Sequence, residues 1–235
     1  MAELTIVLVH GAFAESSSWR GVIGGLRQAG HGTIAAANPL RSLSGDAASV
    51  SGLLGAIPGP VVLVGHSYGG AVISNAATGH DNVRALVFVA AFAPLEGESI
   101  FELSGLRPGS TLGDTLNAVP VGDGSADLYI RQGQFPDQFA ADVPATEAAV
   151  LAATQRPLRD VALREGSGPP AWRSLPSWFV FGDADRNIPV AVHRLMAERA
   201  GAKATVELAG ASHALTVSRP GEVTEVITSA IAAVS

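Results

Sequence analysis

Pro60-Val-Val-Leu-Val-Gly-His-Ser-Tyr-Gly-Gly-Ala-Val-Ile-Ser74 is the stretch whose reading decides the fold. Its apolar, mostly β-branched run at residues 61–64 predicts a short strand buried on both faces. The small residues from Gly70 onward predict a helix. Between them lies an abrupt turn around one serine, Ser67. In a chain with 27 glycines the Gly-x-Ser-x-Gly pattern is a weak signal by itself. Its place between a strand and a helix is what gives it meaning. So sharp a turn strains the backbone of its central residue. Gly65 and Gly69, two residues to either side of Ser67, remove the bulk that would hold strand and helix apart.

The same strand–helix rhythm extends outward from this segment. Residues 4–10, 33–37, 61–64, 84–90, 178–181 and 204–208 read as six strands, with helices expected at 18–29, 44–57, 70–78, 190–200 and 220–234. Alternation of this kind predicts an α/β fold: a mostly parallel six-stranded sheet with helices on both faces. Residues 1–94 and 171–235 are expected to form that core. Residues 95–170 break the rhythm, with loops at 107–110 and 121–124 and helices expected at 127–133 and 145–154. Lying between the fourth and fifth strands, this segment is expected to be a cap over the strand C-termini, where open α/β sheets bind ligands.

Composition narrows the function classes. A net charge of −6 and the lack of any Lys/Arg run give no footprint for nucleic acid. With no cysteine the chain has neither disulfides nor thiolate ligands, and no histidine pair has metal-ligand spacing. No apolar stretch is long enough to span a bilayer. The N-terminus lacks the basic region of a signal peptide, so a soluble cytoplasmic protein is expected. Neither a phosphate loop nor a dinucleotide fingerprint is present, and no cofactor or metal is expected.

A serine hydroxyl needs a base, and the base needs an orienting acid. Of six histidines, His213 follows the last strand in the small-residue loop 208–214, where such a base belongs. His10 and His66 lie on tight turns and read as structural, whereas His31, His80 and His193 read as solvated or packing residues. The turn after the fifth strand, Gly182-Asp-Ala-Asp-Arg-Asn-Ile-Pro189, offers Asp185 and Asp183. Its Gly-x-x-Asp-x-x-x-Pro spacing favours Asp185, with Asp183 capping the loop or solvated. An oxyanion cradle requires two backbone N–H groups, one after the nucleophile and one after the first strand. Those are Tyr68 and Ala12, with Phe13 the alternative to Ala12. Gly11, Phe13 and Phe135 are the expected substrate contacts. Phe101, Leu103, Leu106, Leu116, Tyr129 and Phe139 are further candidates for apolar walls.

With these residues assembled, the chain resembles the α/β-hydrolase fold family nearly end to end. The segments 7–12, 64–70, 89–94 and 212–213 are similar to the branch of plant methyl-salicylate esterases, hydroxynitrile lyases and their bacterial relatives. That resemblance implies a serine esterase acting on a small, mainly apolar ester, in a branch whose members often pair as homodimers; charge and hydropathy leave no nucleic-acid or membrane partner expected. Lyases of the branch carry Thr after the strand histidine and Lys after the base. This chain has Gly11 and Ala214 there, which favours an esterase over a lyase. A receptor that keeps its triad without using it is the alternative from another class.

Overall fold

In the computed structural model, which describes residues 3–235, strands and helices alternate at both ends of the chain. The first half contains β1 (Thr5–Val9), α1 (Arg20–Gln28), β2 (Gly32–Ala36), α2 (Leu43–Gly55), β3 (Val61–His66), α3 (Tyr68–Ala76) and β4 (Val83–Val89). The middle holds α4 (Ile100–Gly105), β5 (Leu116–Pro120), β6 (Ala126–Ile130), α5 (Phe135–Phe139), α6 (Ala145–Thr154), β7 (Leu158–Arg159) and α7 (Asp160–Arg164). After it come β8 (Ser177–Gly182), α8 (Val190–Arg199), β9 (Ala204–Leu208), α9 (Leu215–Ser218) and α10 (Pro220–Val234).

Six strands pair in the order β2-β1-β3-β4-β8-β9, each neighbouring pair parallel. Successive side chains on a strand face opposite ways, so the sheet carries two cores. On one face Ile6, Leu8, Val62, Val64 and Val87 cluster with Leu26 of α1 and Ile227 of α10. On the other, Val7, Val9, Leu63 and Phe88 cluster with Leu54 of α2, Val72 of α3 and Met196 of α8. Every residue of β3 is buried, which is why it reads as an unbroken apolar run.

Strand order reverses at β1. From there the chain steps outward to β2, then back across β1 to β3 and onward to β9. A crevice opens at the strand C-termini at such a switch point. Parallel pairing of Val9 with Gly65 sets the ends of β1 and β3 side by side there.

The middle segment builds a second, antiparallel sheet in the order β5-β6-β7. Here the expected helix at 127–133 is corrected: residues 126–130 are a strand. The hairpin turn at Gly122 and Gly124 has positive φ at both glycines and brings Leu116 opposite Ile130. Leu128 and Ile130 are buried while Tyr129 between them is not, a period of two that polar flanks disguised. The expected helix at 145–154 is present as α6.

Candidate active site

Ser67 occupies the turn between β3 and α3 at φ 53° and ψ −124°, a conformation unfavourable for any residue with a Cβ. Backbone bonds on both sides hold it: Ser67 N–H donates to Val89 O (3.2 Å), and Phe92 N–H donates to Ser67 O (3.1 Å). The flanking glycines are sterically required. A Cβ on Gly65 would lie 2.6 Å from the Gly69 carbonyl oxygen, and one on Gly69 2.5 Å from that of Val9.

His213, in the loop between β9 and α9, reaches this turn. Ser67 Oγ lies 2.8 Å from His213 Nε2, and His213 Nδ1 lies 2.7 Å from Asp185 Oδ2. A carboxylate only accepts, so Nδ1 carries the hydrogen and Nε2 is left to accept from the serine hydroxyl. Asp185 is fixed in turn by N–H bonds from Asn187 (2.7 Å) and Ile188 (3.0 Å) to its Oδ1. Burial alone would raise its carboxyl. The adjacent His213 and the hydrogen bonds from His193 and His213 outweigh that and hold it well below the ordinary carboxylate range. Asp183 instead accepts from the Gly210 N–H at 2.7 Å.

The other histidines separate clearly. His10 accepts from Asn38 N–H at Nε2 (3.1 Å) and donates from Nδ1 to Gly11 O (2.9 Å), binding the end of β1 to the loop after β2. Burial pushes its imidazole down to about 4. His66 donates from Nε2 to the His213 carbonyl (3.0 Å), and burial together with His213 pushes it down to about 3. Both are neutral braces. His193 is different: it is wholly buried and bonds the same Asp185 oxygen as His213, at 3.1 Å.

Next to Ser67 is a cavity of about 320 Å³. Ala12, Phe13, Ser67 and Tyr68 line its floor, with Phe92, Ile100, Leu116, Leu128, Leu158 and Ile188 among its walls. Among the described residues the Ala12 and Tyr68 N–H groups donate to no other protein atom, whereas Phe13 N–H is committed to Arg156 O at 3.0 Å. Of the expected wall residues, Phe101 and Leu116 face the cavity and Phe135 does not. Phe135 stacks on Phe139 (4.9 Å between centroids), whose ring meets His213 edge-on at 4.9 Å. The two residues are one helical turn apart, so α5 sets Phe139 against the base with Phe135 stacked behind it, and neither lines the cavity. Leu103 is buried elsewhere, Leu106 is exposed, and the strand pleat turns Tyr129 away. Gly11 is not among this cavity's lining residues; lacking a side chain, it lets its loop approach Ser67.

Three residues at this site were not foreseen. His193 follows Asp185 by eight residues and shares the inward stripe of α8 with Val192, Met196 and Ala197; that stripe was its one sequence signal. Buried Asp46 accepts from Tyr68 Oη at 2.8 Å and from Arg41 N–H at 3.1 Å. Burial raises the Asp46 carboxyl. Asp142 accepts from Ser212 Oγ, next to the base. Among the described residues no cluster of His, Asp or Glu could hold a metal ion.

The model of the alpha/beta hydrolase family matches residues 6–226. The chain belongs to that family. It is 36% identical over 113 residues to a carbendazim hydrolyzing esterase of Nocardioides sp. (strain SG-4G). That match covers 41% of this chain and 46% of the relative, so it spans about half of the relative's length. Solved structures extend the likeness of fold to the whole chain. Polyneuridine aldehyde esterase superposes with a TM-score of 0.82 at 20% identity, covering 97% of this chain and 98% of that one. The Arabidopsis methylesterase MES16 gives 0.81 at 17% identity, over 97% and 99%. The pyrethroid hydrolase PytH gives 0.78 at 23% identity, over 99% and 100%. No described helix is long and apolar enough to cross a membrane.

Proposed function

We propose that this family member is a serine esterase for a small, mainly apolar carboxylic ester. The observation that carries the reading is the continuous hydrogen-bonded series Ser67 Oγ–His213–Asp185, whose serine lines an apolar cavity. His213 takes the Ser67 proton as the hydroxyl oxygen attacks the ester carbonyl. The Ala12 and Tyr68 amides stabilise the oxyanion. His213 then returns the proton to the leaving alcohol, and water hydrolyses the acyl-enzyme with His213 again as base. Asp185 holds the imidazole tautomer and stabilises the imidazolium. Residues 95–170 act as the cap that supplies most of the apolar wall.

Ester hydrolysis is favoured over lyase chemistry by charge. Among the described cavity residues Arg164 is the one cation; it is exposed and lies over the Phe101 ring at 4.4 Å. Residue 214, where the resemblance associates lyases with an ammonium, is alanine. The esterase named among the relatives agrees with this choice.

Hydrolysis of short aryl esters together with fluorophosphonate labelling tests the proposal. Wild type is expected to turn over the ester and to carry the adduct on Ser67. Ser67→Ala should lose both, with turnover falling by several orders of magnitude. An unlabelled wild type that binds esters without cleaving them would point to a receptor instead.

A further inference from the structure

We infer that His193 is a positioning residue for His213: both imidazoles donate to the same oxygen of Asp185, so one carboxylate is oriented by the pair. The inference rests on the proposed roles of Ser67, Asp185 and His213. His193 lies in the first turn of α8, its ring parallel to Phe181 at 4.8 Å and 6°. Because a carboxylate only accepts, the nitrogen 3.1 Å from Oδ2 must be Nε2–H. Nδ1 is then bare, and it has no partner among the described residues. A buried nitrogen without a partner is unfavourable. Packing alone would be better served by an apolar ring, so the gain must lie on the Asp185 side.

That gain is orientation. Asp185 Oδ1 takes two backbone N–H groups and Oδ2 takes two imidazoles, which leaves the carboxylate no rotational freedom. His193 also draws charge from Oδ2, so Asp185 stabilises the His213 imidazolium less than an undivided carboxylate would. The ionisable groups facing His193 are Asp185 and, beyond it, His213 and Glu207. Glu207 is itself paired with Arg194. Burial pushes the His193 imidazole down. Around His213 the facing groups are Asp185, Ser67 and His66.

Two substitutions separate donor from packing. His193→Gln keeps an N–H donor without the ring; His193→Phe keeps the stack on Phe181 without the donor. His193→Phe is expected to lower kcat on an aryl ester roughly tenfold, as lost outer partners do at metal sites, with KM little changed. The acid limb of its kcat profile should move upward, by up to about one pH unit. His193→Gln should recover most of both. An unaltered His193→Phe, or equal losses in the two variants, would overturn the inference. Nitrogen-15 NMR of unsubstituted protein needs no substrate: Nε2–H with a bare Nδ1 is expected at His193. The opposite tautomer would overturn the inference even if neither variant folds. Wild type without ester turnover would sink the esterase reading alone, and the NMR result would still decide His193.

Discussion

At position 11 there is no room for even a methyl group. A Cβ there would lie 2.5 Å from Ser67 Cβ and 2.7 Å from the His66 carbonyl oxygen. The threonine that the resemblance associates with lyases does not fit this backbone unless the loop carrying Ala12 withdraws. Gly11→Thr is therefore expected to cut kcat/KM on an aryl ester by roughly a hundredfold, the scale of a misplacement near 1 Å. Steady-state constants within twofold of wild type would show that this loop does not set the geometry. Ser67, His213 and Asp185 were each marked by a local turn chemistry, and the structure brings them into hydrogen-bonding distance. His193 carried no such mark, because an inward helix position looks the same whether its side chain packs or bonds.

Between elements, Tyr68 and Glu165 each tie α2 to a distant part of the chain. Tyr68 Oη, at the start of α3, reaches buried Asp46 in α2. Tyr68→Phe leaves one oxygen of that carboxylate without its partner. The expected loss is about 1–3 kcal/mol of unfolding free energy, measured from denaturant midpoints; an unchanged midpoint would mean that the hydroxyl contributes nothing. Glu165, just past α7, accepts the N–H groups of Leu43 (2.6 Å) and Ser44 (3.2 Å) at the N-terminus of α2. This ties the middle segment to the core helix. Glu165→Ala should cost about 1 kcal/mol, as loss of a helix cap does, and should speed proteolysis within residues 95–170. Equal cleavage rates for variant and wild type would argue that the segment is held elsewhere. None of these links was legible, since each joins residues at least 22 positions apart and depends on how helices pack.

For the molecule as a whole, the buried histidines set the response to acid. Folding lowers His10 from 6.5 to about 4 and His66 from 6.5 to about 3, so the unfolded chain binds more protons between those values. Stability is then complete above about pH 6.5 and falls as pH drops toward 4 and then 3, by up to about 1.4 kcal/mol per pH unit for each histidine. Asp185 acts in the same direction below the ordinary carboxylate range, whereas Asp46, with its raised carboxyl, opposes it. Urea melts between pH 4.5 and 7.5 should show this slope, and His66→Gln should flatten it. Equal midpoints at pH 5 and pH 7.5 would refute it.

The α/β rhythm, the serine turn and the Ser–Asp–His order are properties of the sequence by itself, because each depends on neighbours within one element or one turn. Burial on both faces writes β3 as an unbroken apolar run, and a strained turn writes itself in glycines. The middle segment was misread at β6 because a short strand with one polar face has too few residues to declare its period. Only the tertiary structure decided that Phe139 of α5 meets the base, with Phe135 stacked on it, instead of lining the cavity. It alone showed that Phe13 N–H is engaged while Ala12 N–H is free, and that His193 shares a carboxylate with His213. Those outcomes depend on which surfaces meet when distant elements pack, and no local pattern encodes that.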